Sequence, residues 1–218
     1  MKIAAVEIAL PQPGASGRVA ALQGTLSLPE AARGLVAFAH GSGSSRLSPR
    51  NTYVAEVLQR DRIATLLFDL LTAQEDRDRA ARFDIALLTS RLLLATDWID
   101  RQAELRALPL GYFGASTGAA AALEAAASED VRVAAVVSRG GRPDLAAPGL
   151  LEAVRAPTLL IVGGEDDVVI ELNRRAMARM RCEHRLVIVP GASHLFEESG
   201  TLEQAARHAA DWFVERLH

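Results

Sequence analysis

Short apolar runs alternate along the chain with longer stretches in which apolar residues recur every three or four positions. The near-continuous runs are Gly34–Ala39, Ala64–Leu70, Leu108–Phe113, Val131–Val137, Thr158–Val162 and Leu186–Val189. Runs without a polar face suit strands covered on both sides, as in a parallel sheet between helices. Residues 3–10 and 18–28 read differently. In the second, Val19, Ala21, Gln23, Thr25 and Ser27 alternate with Ala20, Leu22, Gly24, Leu26 and Leu28, which predicts one wet face. Pro11, Pro13, Gly14 and Gly17 lie between these two segments, so an antiparallel edge hairpin is predicted.

Helices are predicted between the runs. In 84–101, Ile85, Leu88, Leu92, Ala95 and Ile99 share one face, with Asp84 as a first-turn acid. Residues 117–128 are Ala-rich, and 168–181 and 201–217 also carry the helical period, the last through Leu202, Ala205, Ala209, Trp212, Phe213 and Leu217. The stretch Glu75–Arg79 reads as a solvated loop or helix start. Strand and helix in alternation predict an α/β architecture: a mostly parallel, doubly wound sheet of about eight strands with helices on both faces. No insertion is long enough for a large cap domain; Gly141–Val154 is the one segment suited to a small lid. The whole length, 1–218, is expected to form a single domain.

Composition narrows the function classes. With 50% hydrophobic residues and 23% charged ones, the chain has ample material for a core and does not resemble a disordered polymer. Net charge is −3; Lys2 is the only lysine, and the arginines are interspersed with carboxylates, which argues against nucleic acid as a partner. The single cysteine, Cys182, excludes an internal disulfide framework and a Cys-rich zinc site, and no metal or other cofactor is expected. No run of 18 apolar residues occurs, so no membrane span is expected, and a cytoplasmic protein acting on a small molecule is the default. The Ala-rich helices and the edge hairpin would allow a homodimer.

Candidate chemistry centres on Gly114-Ala115-Ser116-Thr117-Gly118, which follows one predicted strand and opens a predicted helix. A G-x-S-x-G pattern in that context makes a sharp elbow: the serine takes a strained backbone conformation and the glycines make room for it. A serine nucleophile needs a base. Among the five histidines, His208 and His218 read as surface and His184 precedes a strand, whereas His194 lies in Gly191-Ala192-Ser193-His194, just past the strand Leu186–Val189. An orienting acid is sought in Gly163-Gly164-Glu165-Asp166-Asp167, at another strand end, where Asp166 leads and Asp167 is the alternative. The loop His40-Gly41-Ser42-Gly43 follows the third strand. There the backbone N–H of Ser42, with Gly41 second, is matched to Thr117 N–H as an oxyanion-hole pair, and His40 packs or hydrogen-bonds to hold the loop.

These residues resemble the dienelactone-hydrolase-like group of the α/β-hydrolase superfamily. The resemblance runs from about residue 20 to 216 through the His40-Gly41-Ser42-Gly43 loop, the elbow at Ser116, Gly163-Gly164-x-Asp166 and Gly191-Ala192-Ser193-His194. It implies an α/β-hydrolase fold, a Ser116–Asp166–His194 triad in that group's chain order, and cleavage of a small ester, lactone or thioester without a cofactor. Dienelactone hydrolases proper carry cysteine at the elbow; this chain has Ser116. Ser44–Asn51 and Val137–Pro143 resemble segments of a hydrolase subgroup, some of whose members are joined to a phosphoribosyltransferase-like domain that is not expected here. Substrate contacts are sought at His40, Gly41 and Arg139. Arg139 either meets a substrate carboxylate or phosphate or pairs with a surface acid, and Arg46 and Arg50 raise the same question.

Overall fold

Runs that offer no polar face to water are stable only when both faces are covered, and the observed strands obey that rule. The structure is a computed structural model that describes residues 1–11 and 20–218. Its strands are β1 (Lys2–Ala9), β2 (Ala21–Leu28), β3 (Gly34–Ala39), β4 (Ile63–Phe68), β5 (Leu110–Ala115), β6 (Val133–Arg139), β7 (Thr158–Gly163) and β8 (His184–Val189). They form one eight-stranded sheet in the order β1-β2-β4-β3-β5-β6-β7-β8. β1 pairs antiparallel with β2, and β2 antiparallel with β4; all other pairings are parallel. Every residue of β3, β4, β5 and β7 is buried, while the edge strands β1 and β8 stay half wet. The predicted turn residues Pro13, Gly14 and Gly17, with Val19, lie outside the described residues.

The helices are α1 (Pro49–Arg60), α2 (Arg79–Phe83), α3 (Ile85–Arg101), α4 (Thr117–Ala127), α5 (Leu150–Ala153), α6 (Asp167–Met177) and α7 (Thr201–Arg216). On one face of the sheet, Leu88, Leu92 and Ile99 of α3 and the alanines of α4 pack over Leu35, Ala37 and Tyr112. On the other, Val54 and Leu58 of α1 and Trp212 and Phe213 of α7 pack over Val36, Phe38 and Phe113. Asp84 is the N-cap of α3 rather than a first-turn acid: its Oδ1 accepts the Leu87 N–H at 3.0 Å. The charged stretch at 75–79 is a single 3-10 turn leading into α2. α1 was not anticipated from periodicity. It begins with Ser48, whose hydroxyl caps Asn51 N–H, followed by Pro49 at the first helical position.

Topology decides where a site can form. From β3 the chain crosses through α1 on one face to β4, then returns through α3 on the opposite face to β5, on the other side of β3. The loops leaving β3 and β5 therefore diverge, and a crevice opens at the carboxyl ends of these two neighbours. β5 and β6 also run two residues further than the apolar pattern predicted, to Ala115 and Arg139, so the sheet carries these two residues to the rim of that crevice.

Leu92 is fully buried in the α3 layer. Its replacement by alanine should cost about 3 kcal/mol through lost transfer energy and the cavity left behind, read as a lower urea midpoint with an unchanged slope.

Candidate active site

Ser116 lies between β5 and α4 with φ +51° and ψ −119°, a conformation that non-glycine residues enter only when the surroundings enforce it. The surroundings here are hydrogen bonds and close packing. Ser116 N–H donates to the Arg139 carbonyl at 3.2 Å, and the Ser116 carbonyl accepts from Ala119 and Arg142 N–H at 3.1 Å each. A Cβ on Gly114 would fall within 3.0 Å of Ala119 backbone atoms and one on Gly118 within 3.0 Å of the Ala39 and His40 carbonyls. The glycines of the motif thus let α4 start directly against the end of β3.

His194 and Asp166 meet across two strand ends. His194 Nδ1 lies 2.6 Å from Asp166 Oδ2, so Nδ1–H donates to the carboxylate and Nε2 is left as the free acceptor. Asp167 and Glu165 are exposed, Asp167 in the first turn of α6, and among the described residues His194 pairs with Asp166 and with neither of them. The two loops are laced together: Gly164 N–H donates to the Val189 carbonyl at 2.8 Å and Glu165 N–H to the Ala192 carbonyl at 2.9 Å. A Cβ on Gly163 would strike the Ala192 and Ser193 carbonyls. Glu198, not singled out in the sequence, takes the Ser193 N–H at 2.9 Å, and that bond holds its carboxyl below the usual range. Among the described residues no hydrogen bond joins the Ser116 hydroxyl to His194, but both groups line one cavity of about 240 Å³.

The loop after β3 forms the facing wall. Gly43, with φ +68°, occupies the turn position that calls for glycine, closed by Ser44 N–H on the Gly41 carbonyl at 3.2 Å. Gly41 lies against the elbow, where an added Cβ would sit 3.1 Å from Ser116 Cβ. The backbone N–H groups of Ser42 and Thr117 donate to no protein acceptor among the described residues. His40 takes no part in the cavity. Its Nε2 accepts Leu70 N–H at 3.0 Å, which leaves the proton on Nδ1 to donate to the Gly41 carbonyl at 3.0 Å. Both ring nitrogens are committed to backbone, so the substrate contact expected at His40 is replaced by a brace between the loop and β4. Arg46 makes a second brace, its side chain and backbone N–H both reaching Asp69. Desolvation pushes the His40 pKa below its ordinary 6.5.

Arg139 ends β6 and reaches into the same cavity. It does not pair with a surface acid. Its guanidinium lies near the rings of Phe113 and Phe196, 5.9 and 5.8 Å from the centroids, and gives one long bond, 3.4 Å, to Asn51 Oδ1. Desolvation, with the like charge of Arg50, lowers its pKa to about 10. Ser48, Arg50 and Asn51 line the cavity from the start of α1, a contribution that only the Ser48-Pro49 helix-start signal could have revealed. The expected lid, 141–154, packs instead against α4 and α6 and contributes no residue to the cavity. Among the described residues no cluster of metal-ligating side chains occurs, and no helix is long and apolar enough to cross a membrane.

No family model matches the chain. Two curated proteins from strains of Mycobacterium tuberculosis, provisionally named phosphoribosyl transferases, are 62% identical over 194 residues, or 89% of this chain. The chain spans only 44% of their length. A crystal structure described as a dienelactone hydrolase from Anabaena variabilis superposes with a TM-score of 0.93 at 53% identity, covering 100% of this chain and 99% of that one. Est1E from Butyrivibrio proteoclasticus, at 16% identity and a TM-score of 0.77 over 97% and 98% of the two chains, shares the fold. An esterase domain from Rhodothermus marinus does so at 19% identity and a TM-score of 0.77 over the full length of both.

Two outcomes follow from the packing of the site. Gly118→Ala should abolish soluble expression or lower the thermal midpoint by several degrees, because the new Cβ meets backbone rather than a movable side chain. Burial lowers the His40 pKa in the fold below the 6.5 of the unfolded chain, so the unfolded state binds the extra proton first and stability is lost as pH falls below about 6.5. Urea midpoints at pH 7.5 and 5.5 should differ more in the wild type than in His40→Gln; equal differences would remove His40 from the account.

Proposed function

The chain belongs to the dienelactone-hydrolase-like group of the α/β hydrolases and is a hydrolase-like enzyme; from that footing we propose that it is a serine hydrolase cleaving small esters, lactones or thioesters through an acyl-enzyme. The carrying observation is the His194–Asp166 pair at 2.6 Å opening on the cavity into which the strained Ser116 projects. In this reading the Ser116 Oγ attacks the substrate carbonyl carbon while its proton passes to His194 Nε2. Asp166 holds the ring in the tautomer that leaves Nε2 free and steadies the imidazolium that forms. The carbonyl oxygen, now negative, takes hydrogen bonds from the unclaimed N–H groups of Thr117 and Ser42, reinforced by the positive end of α4. The tetrahedral adduct collapses, its bond to the leaving oxygen or sulfur breaks, and His194 returns the proton to that group. Water then enters, gives its proton to Nε2 and its oxygen to the acyl carbon. Release of the acid restores the Ser116 hydroxyl.

The cavity is shallow and uncapped, which favours substrates with an exposed scissile bond over those needing a deep apolar tunnel. Ser42, Ser44, Ser48 and Asn51 add polar groups to a lining that also includes Ala115 and Leu195. The transferase name of the mycobacterial relatives describes proteins more than twice as long as the matched region, and no step here draws on it.

A fluorophosphonate probe should label the protein at Ser116, with mass spectrometry locating the adduct on the peptide that contains it. Ser116→Ala should lose labelling and at least about 10³-fold in kcat toward 4-nitrophenyl acetate while keeping its thermal midpoint. Undiminished turnover in that variant would transfer the reaction to another group.

A further inference from the structure

The acyl-transfer steps leave part of the cavity lining unused. Two guanidinium groups, Arg139 and Arg50, also line it, and among the described residues no carboxylate does. Arg50 meets Glu197 at 3.2 Å, outside the cavity lining. Arg139 is 8% exposed; among the described residues its buried Nη1 has no acceptor, and its side chain makes no hydrogen bond but the long one to Asn51. A buried cation with no facing counter-charge among the described residues is an unbalanced charge, and an anion entering the cavity would balance it. The aromatic rings beside it offset the desolvation only in part.

We propose that the arginine-lined part of this cavity is a phosphate subsite, so that the ester cleaved at Ser116 carries a phosphate monoester on one of its halves. The number and kind of donors decide for phosphate over carboxylate. A carboxylate offers two coplanar oxygens, which a single guanidinium satisfies. Here two guanidiniums are joined by the hydroxyls of Ser44 and Ser48 and by the Asn51 amide, whose oxygen is held by Arg139 so that its NH₂ remains to donate. Ser48 is the N-cap of α1, twelve residues long, and Asn51 lies in its first turn, so the positive end of that helix borders the same space. Three terminal oxygens on a phosphate monoester match this set in acceptor count, and its negative charge meets the Arg139 guanidinium that no carboxylate faces.

The assignment rests on the hydrolase reading for the location of the scissile bond, but anion binding is measurable without turnover. Isothermal titration of the intact protein with inorganic phosphate at low salt should show saturable one-to-one binding, and acetate should bind at least about tenfold more weakly. Arg139→Gln and Arg50→Gln should each weaken phosphate by at least about tenfold, with Arg139→Lys recovering part of the loss. Arg50 is partly exposed and its variant is expected to fold even where Arg139→Gln does not. Phosphate should raise KM for 4-nitrophenyl acetate without lowering kcat. Absent binding, or binding unchanged in Arg50→Gln and Arg139→Lys, overturns the subsite; acetate equal to phosphate overturns the choice of anion; tight binding without a KM effect overturns its link to the substrate. A protein that binds phosphate in this pattern but hydrolyses no ester keeps the subsite and removes the serine-hydrolase reading.

Discussion

The site depends on one close approach: the first turn of α4 pressed against the last carbonyls of β3, with Gly118 as the spacer. That contact sets Ser116 at positive φ, because the chain must leave β5 and enter the helix within a single residue. It also brings the N-terminus of α4 beside the loop that carries Ser42, so that the free N–H groups of Ser42 and Thr117 flank one small space. A helix entering a few tenths of an ångström further out would relax the serine and separate those donors together. Strain at Ser116 and the donor pair are thus one packing decision, enforced by backbone that cannot give way.

The remaining chemistry is held by hydrogen bonds between loops rather than by the sheet itself. The acid loop and the base loop exchange backbone hydrogen bonds, Glu198 steadies Ser193, and His40 and Arg46 fasten the β3 loop to the end of β4. These loops at the rim are therefore tied to their neighbours by the fold itself, so the donors and acceptors they carry are held in place. The cavity combines a histidine matched to a carboxylate with two arginines.

Much of this was legible in the chain. Apolar runs give strands because a doubly covered strand has no wet face to interrupt them, and the elbow motif announces itself by its glycines and its place between strand and helix. What was illegible depended on partners distant in sequence. Asp166 and Asp167 are equivalent in composition, and only the relative placement of β7 and β8 brings one of them to the imidazole. His40 is read as a brace only once Leu70 N–H, 30 residues away, is seen to reach its ring. α1 escaped because its buried residues, Val54, Ala55, Val57 and Leu58, crowd one end of a largely polar helix and leave no apolar stripe along its length. The segment 141–154 has the composition of a lid, but the alanine surface of α4 gave it a better place to bury its side chains.

Phe196 stands two residues past His194, in a left-handed conformation at φ +56°, and its buried ring is one of the pair beside the Arg139 guanidinium. The segment that carries the imidazole therefore also supplies part of the arginine's apolar setting. A substitution at Phe196 would disturb both surroundings at once, so neither can be altered through this residue in isolation.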